Sequence, residues 1–136
     1  MSIAVKAVRD DERADVEAFY RRELKREVLL EVDQEVLAAR DGDAIVAALR
    51  LCPEAGTLLL RTVVVAEDRL GQGIGRALLQ EASRAIGRRD CWCFAWSYLE
   101  DLYGAIGFVR VPDAGVPQLL RDRTGPNEIA TYRAAS

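Results

Sequence analysis

Hydrophobic and polar positions divide the first half of the chain into short strand and helix patterns. Residues 3–8 alternate partly and predict a strand, and the acidic residues 10–12 precede a helical pattern that ends near residue 26. That helix places Val16, Phe19, Tyr20 and Leu24 on one face. Residues 36–40 and 44–51 flank Asp-Gly-Asp, which predicts a hairpin. Residues 27–35 give an ambiguous pattern, for which we predict a short second helix followed by a loop.

The second half is organised around one apolar, β-branched run. After a turn at 53–56, residues 57–65 predict a central strand, and a glycine-rich loop follows a short acidic segment. Further patterns predict a helix at 73–86, a strand at 90–96, a helix at 97–105, a strand at 108–111, a loop at 112–127 and a strand at 129–133. This order indicates a mixed sheet covered by helices, in a single domain spanning residues 1–136.

Composition narrows the classes of function. Half of the 136 residues are apolar, 30% are charged and the net charge is −3, which argues against a general nucleic-acid binder. No apolar run is long enough to span a membrane and the N-terminus lacks the apolar core of a signal peptide, so we predict a cytoplasmic protein. Three cysteines argue against a disulfide framework. With no histidine, a metal site is not expected, and acid–base chemistry falls to carboxylates, Tyr, Cys, Lys or water.

The glycine-rich loop predicts an anion site. Gly71, Gly73 and Gly75 lie between the central strand and a helix, where backbone can turn tightly and the first helical N–H groups lack partners. A P-loop would need Lys-Ser or Lys-Thr, and a dinucleotide fingerprint would need a different glycine spacing. A glycine-rich turn without a ligand is the alternative.

A second motif, Tyr-x-x-x-Gly-Phe from Tyr103 to Phe108, follows the loop at a distance of one helix and one strand. From about residue 58 to residue 108 the chain resembles the GNAT superfamily of acyl-CoA-dependent N-acetyltransferases, most closely its small amino-acid and arsenic-resistance-type members. The resemblance implies a GNAT-like, mostly antiparallel α/β sheet of six to seven strands with about four helices. It also implies a V-shaped cofactor cleft between the central strand and the next, with acetyl-CoA as cosubstrate and no metal. Leu70 departs from the pattern, which usually has Gln or Arg there, so weakened cofactor binding is expected.

The same resemblance assigns site residues. Tyr103 matches the general acid that protonates the leaving thiolate, with Tyr98 as the back-up and simple packing as the alternative role. Val63 and Val65 would offer main-chain groups to the cofactor. Arg69 and Arg76 would add positive charge for its phosphates, and the alternative is that the two arginines only form a solvated helix face. The predicted cofactor-binding residues are Val63, Val65, Arg69, Leu70, Gly71, Gln72, Gly73, Ile74, Gly75 and Arg76.

The acceptor side of the site is less constrained. The central strand has no glutamate, so the base is either water or one of four carboxylates, Glu31, Asp33, Glu35 and Glu54. By strand alternation Arg61 shares a face with Val63 and Val65 and is predicted to point into the cleft, with Arg50 beside it on the neighbouring strand. The planar guanidinium of Arg61 suits a substrate carboxylate. The alternative is a buried ion pair with a carboxylate of the first helix.

We therefore predict transfer of an acetyl group from acetyl-CoA to a primary amine by direct attack in a ternary complex. The expected acceptor is a small carboxylate-bearing amine such as an amino acid. Acetylation of a protein N-terminus or lysine is the second hypothesis. The third is a non-catalytic module that binds CoA or dimerises, and a nucleotide-binding Rossmann module is a distant fourth. A homodimer is compatible with each of the GNAT-like alternatives.

Overall fold

The computed structural model describes residues 3–54, 56–96, 100–111 and 129–134. It contains one seven-stranded sheet in the order β1-β2-β3-β4-β5-β7-β6. The strands are β1 (Ile3–Ala7), β2 (Glu35–Asp41), β3 (Ala44–Glu54), β4 (Thr57–Val65), β5 (Cys91–Trp96), β6 (Phe108–Val111) and β7 (Ile129–Ala134). The helices are α1 (Arg13–Leu24), α2 (Ile74–Ile86) and α3 (Glu100–Gly104).

Strands β1 to β4 form an antiparallel meander. The β2–β3 hairpin turns at Gly42, whose φ of 62° explains the glycine in the Asp-Gly-Asp signal. β4 then pairs in parallel with β5, and β5, β7 and β6 continue antiparallel. The predicted mixed sheet with mostly antiparallel pairing is therefore confirmed, and its one parallel step is the pair that carries the site.

The helices cover both faces of the sheet. Val16, Phe19 and Tyr20 of α1 are buried against one face, as the sequence pattern predicts. On the other face α2 buries four residues at helical spacing, Ile74, Leu78, Leu79 and Ala82. They belong to the same buried cluster as Cys91 and Cys93 of β5. The free cysteines Cys91 and Cys93 are thus both part of the core. Both layers are therefore built by helices whose apolar stripes match the 3.6-residue period.

The segment between α1 and β2 is not helical, so the predicted second helix at 27–35 is wrong. In this segment, side chains form hydrogen bonds with backbone N–H and C=O groups that would bond to each other in a helix. Glu17 Oε2 accepts from Leu30 N–H at 2.8 Å, and Gln34 Oε1 accepts from Glu31 N–H at 3.2 Å. Arg13 donates to the carbonyl oxygens of Glu31 and Gln34 at 2.9 and 2.5 Å. The described residues thus contain three α-helices and not four, and Tyr98 and the predicted loop at 112–127 lie outside them.

Candidate active site

A cleft opens where β4 and β5 separate. The two strands pair only through residues 58–60 and 91–93, although both continue beyond that point. The space between them has a volume of about 410 Å³ and reaches the C-terminal end of α1. The predicted V-shaped cleft between the central strand and the next is confirmed. Its described lining residues are Leu24, Arg26, Leu60, Arg61, Thr62, Val63, Val64, Cys93, Phe94 and Tyr103.

A β-bulge interrupts β4 beside this cleft. The register shifts so that Thr62 and Val63 face the single residue Leu49 of β3, and Thr62 adopts a left-handed φ of 56°. The extra residue reverses the side-chain alternation. Arg61 consequently lies on the face covered by α1, whereas Val63 and Val65 pack towards the core under α2. The prediction that these three residues share a face is wrong, because strict alternation does not allow for a bulge.

Buried polar groups from α1 and β3 hold the bulge. The Tyr20 hydroxyl donates to the Thr62 carbonyl oxygen at 2.8 Å, and burial raises the pKa of this phenol. Arg50 Nε donates to Thr62 Oγ1 at 3.0 Å, and its Nη1 donates to Gln34 Oε1 at 3.4 Å. The role of Arg50 beside Arg61 as an acceptor ligand stays a prediction. The Arg50 guanidinium is buried behind the bulge and is not part of the described cleft lining.

Tyr20→Phe is expected to destabilise the protein by about 1–3 kcal/mol, because it leaves the partly buried Thr62 carbonyl without its hydrogen bond. It should also lower catalytic turnover, because a left-handed threonine persists only where its surroundings fix it. The matched control is Phe19→Leu, which removes packing in the same buried cluster without touching Thr62. If both variants lose stability and both keep full turnover, the bulge does not depend on the Tyr20 hydroxyl.

The glycine loop has the geometry that the sequence predicts. Gly71 and Gly73 have φ values of 78° and 79°, which side chains rarely adopt, and Gly73 directly precedes α2. A Cβ on Gly75 would lie 3.4 Å from Val65 Cγ2, so this glycine allows the start of α2 to approach β4 closely. The three glycines therefore have separate tasks: two set the backbone turn and one sets the packing distance.

The N–H groups of the loop have the character of an anion site. Among the described residues, no acceptor receives a hydrogen bond from the N–H groups of residues 70–76, and the first donor that does is Ala77, to Gly73 O at 3.1 Å. The loop is exposed at Leu70, Gly71 and Gln72. Orphan N–H groups at a helix start, in the positive end of the dipole, fit a phosphate or pyrophosphate. The backbone thus fits the phosphate part of the predicted cosubstrate.

The two arginines predicted to assist this loop differ. Arg69 Nη1 forms an ion pair with Asp41 Oδ2 at 2.7 Å, so its charge is already compensated at the end of β2. Arg76 is exposed in the first turn of α2 and forms no ion pair with the described residues. Of the two, Arg76 is the one whose charge is available to a bound phosphate.

Tyr103 lies at the inner wall of the cleft. Its side chain is only 4% exposed and its ring contacts Phe108 edge to face, with centroids 6.0 Å apart. Burial raises the pKa of the neighbouring Cys93 thiol to about 12, and a hydrogen bond with Tyr103 partly offsets that rise. At such a pKa Cys93 stays a protonated thiol near neutral pH, so it does not compete as a nucleophile.

The four carboxylates considered as bases do not line the described part of the cleft. Glu35 is bound by Arg89 through two contacts of 2.5 and 3.0 Å, which lowers the pKa of this carboxyl. Glu31 and Asp33 are exposed on the segment before β2. Glu35 therefore has a structural role, and none of these groups has the position expected of a base.

Sequence reasoning missed Arg26 and Gln34. Arg26 lines the cleft just beyond α1, which ends because Lys25 adopts a left-handed φ of 59°. The basic end of the predicted helix was a visible signal, but it is equally typical of a solvated helix terminus. Gln34 could not be recognised, since its role depends on contacts with Arg13 and Arg50 from distant parts of the chain.

A family model for the acetyltransferase (GNAT) domain matches residues 32–110, which is more than half of the chain. The chain belongs to the GNAT acetyltransferase family. The matched region contains β2 to β5, the glycine loop, the bulge and Tyr103, so it includes every described element that forms the cleft except α1. This GNAT protein is accordingly an acyl-CoA-dependent N-acyltransferase.

Solved structures agree with this fold. An acyl-CoA N-acyltransferase from Pseudomonas aeruginosa superposes with a TM-score of 0.71 at 22% identity, covering 98% of this chain and 100% of that one. The ribosomal-protein-S18-alanine N-acetyltransferase from Escherichia coli gives 0.72 at 13% identity, covering 98% and 93%. N-acetylglutamate synthase from Neisseria gonorrhoeae, complexed with coenzyme A and N-acetyl-glutamate, gives 0.67 at 13% identity, covering 98% of this chain and 35% of that one.

No curated protein sequence matches the GNAT chain significantly. Within the described ranges, no helix is long and apolar enough to cross a membrane. The same part of the chain contains no group of three or more His, Cys, Asp or Glu side chains arranged to hold a metal ion.

Proposed function

We propose that this protein transfers an acetyl group from acetyl-CoA to a small primary amine that carries a carboxylate, such as an amino acid. The observation that carries the proposal is Arg61. Its side chain is exposed at the cleft and forms no ion pair with the described residues, so the alternative of a buried pair with α1 does not apply. An arginine fork without an internal partner, beside a reactive cleft, suits a substrate carboxylate.

The loop and β4 would hold the cosubstrate, which supplies the acetyl group as a reactive thioester. The N–H groups from Gly71 to Arg76 would bind its phosphates. Ala66 N–H donates to Val46 O on β3 at 2.8 Å, so by alternation the main-chain groups of Val65 face away from β3, on the side where β5 has separated. Val65, and Val63 two residues before it, can therefore offer N–H and C=O groups to the ligand and to the developing oxyanion.

Tyr103 would act as the general acid in this scheme. Tyr103 lines the cleft, and a phenol can donate a proton to a departing thiolate because the basicities of the two anions are similar. The described lining holds no carboxylate, so the amine proton would pass to water. The positive charge of Arg61 favours the neutral form of a nearby amine and thereby assists this step.

The decisive experiment compares amino acids with the corresponding amines that lack the carboxylate. CoA release is measured with glycine against methylamine and with phenylalanine against phenethylamine. We expect turnover of the amino acids with a kcat/KM at least about tenfold higher than that of the amines, and we expect Arg61→Ala to remove most of that preference. Arg88→Ala is the matched control, because Arg88 is also exposed and unpaired among the described residues but lies away from the cleft.

Three outcomes would contradict the proposal. Equal turnover of amines and amino acids would mean that Arg61 does not bind the carboxylate of the acceptor. Turnover of peptide N-termini without turnover of free amino acids would favour the protein N-acetyltransferase. A rise in melting temperature with acetyl-CoA, equivalent to about 2.7 kcal/mol at one hundred times the Kd, with no turnover of any amine, would favour the non-catalytic CoA-binding module.

A further inference from the structure

We propose that the acceptor carries two anionic groups, one bound by Arg61 and the other bound by Arg26. The inference rests on the proposed acetyl transfer to a carboxylate-bearing amine and narrows it to a class: primary amines with two acidic functions, such as dicarboxylic amino acids.

Arg26 and Arg61 are the two described arginines that both lack an ion pair with the described residues and line the cleft. Most described arginines form ion pairs with aspartate or glutamate. Arg26 and Arg61 form none, although the chain as a whole carries a net charge of −3. The two uncompensated cations line the same cleft, whose described lining includes no acidic side chain. The described lining of the cleft therefore has an excess of two positive charges, which favours an acceptor that brings two negative ones.

The position of Arg26 is fixed by its neighbours. Tyr20 ties α1 to the bulge, and one helical turn later Leu24 lines the cleft. Lys25 turns the chain and its Nζ returns to the Arg22 carbonyl oxygen at 2.8 Å, while Glu27 binds Arg21 at 2.6 Å. The charged side chains on both sides of Arg26, Lys25 and Glu27, thus both bind residues of α1. Only Arg26 extends from this anchored segment to the cleft without a partner among the described residues.

The alternative role of Arg26 is stabilisation of the C-terminal end of α1, where a cation is favourable. That role and the proposed one differ in what they predict. A purely structural arginine would change the stability of the protein and affect all acceptors alike. An arginine that binds the second acidic group would affect only acceptors that carry such a group, because a neutral amide of the same shape gains no charge-assisted hydrogen bond.

The test uses two pairs of acceptors, glutamate with glutamine and aspartate with asparagine. For the unmodified protein we expect at least one acidic member to exceed its amide by about tenfold in kcat/KM. Arg26→Ala should bring that ratio close to one while leaving kcat/KM for the amide unchanged, and Arg26→Lys should restore part of it. Arg61→Ala should lower kcat/KM for both members of the pair, because both carry the α-carboxylate. Arg88→Ala should leave every value unchanged.

The other outcomes contradict either the role of Arg26 alone or the proposed function as well. Turnover of amino acids with no preference for acidic over amide members in either pair would overturn the assignment of Arg26 and leave the proposed function standing. An equal loss for both members in Arg26→Ala, together with a lower melting temperature, would show that Arg26 only stabilises the end of α1. Absence of turnover with all four acceptors would overturn the assignment of Arg26. The proposed function would fail as well if amines without a carboxylate are acetylated and glycine and phenylalanine are not.

Discussion

Gly73→Val is expected to abolish the rise in melting temperature that acetyl-CoA produces and to lower kcat/KM for acetyl-CoA by about 100-fold or more. Gly73 has a φ of 79° and is the last residue before α2. A β-branched residue is strongly disfavoured there, and it would relieve its strain by turning the flanking peptide planes. Those planes carry N–H groups that we propose to bind phosphate. Losing one or two charge-assisted hydrogen bonds, at about 1.5–3 kcal/mol each, accounts for the size of the effect.

The matched control for this variant is Gly87→Val at the opposite end of the same helix. Gly87 also has a positive φ, of 60°, and it ends α2 as Gly73 begins it. Both variants should lose stability through backbone strain, by at least about 1–2 kcal/mol. Only Gly73→Val should lose the response to acetyl-CoA in a thermal melt, with ATP and NAD as negative ligands. A variant at Gly73 that still responds as the unmodified protein does would show that the loop is only a turn.

Tyr103→Phe is expected to lower kcat by about 100-fold or more, with little change in the KM of either substrate, because a positioned proton donor typically contributes that much. The ring can keep its edge-to-face contact with Phe108. The variant loses the hydrogen bond with the Cys93 thiol, which is a weak partner, so the melting temperature should fall less than in Tyr20→Phe. The measurement is CoA release under saturating substrates across a pH range. Loss of the limb that reports deprotonation of the acid would accompany the drop in kcat.

A Tyr103→Phe variant with kcat within a few-fold of the unmodified protein would limit Tyr103 to packing. The proton would then come from water or from Tyr98. Tyr20→Phe provides the comparison, since it also removes one hydroxyl from a buried tyrosine of this chain. Tyr20→Phe is expected to lose more stability than Tyr103→Phe, whereas Tyr103→Phe should lose more turnover.

The features that sequence reasoning recovers are those written in local patterns. The apolar run before the glycine loop, the spacing of Gly71, Gly73 and Gly75, and the motif that starts at Tyr103 give the fold and the outline of the cleft. Each of these signals depends on backbone conformation or on helix and strand periodicity. The structure confirms the sheet, the cleft and the loop conformation, whereas the functions of the individual side chains stay predictions.

The features that sequence reasoning misses depend on contacts between distant residues. Thr62 is an ordinary strand residue by propensity, and only Tyr20 and Arg50 explain its left-handed conformation. The bulge in turn moves Arg61 to the other face. Arg69 is neutralised by Asp41, which lies 28 positions away in the chain. A pattern along the sequence contains no information about such partners, since tertiary contacts override local preference.

The short parallel contact between β4 and β5 also determines how this site can diversify. Three residue pairs, all with buried side chains, set the angle at which the two strands part. The alignment of the glycine loop with Tyr103 is consequently a property of the hydrophobic core. Arg26, by contrast, belongs to an exposed connection outside the sheet. If Arg26 binds the acceptor as proposed, changes in that connection would alter which amine is accepted and leave the cleft geometry set by the core unchanged.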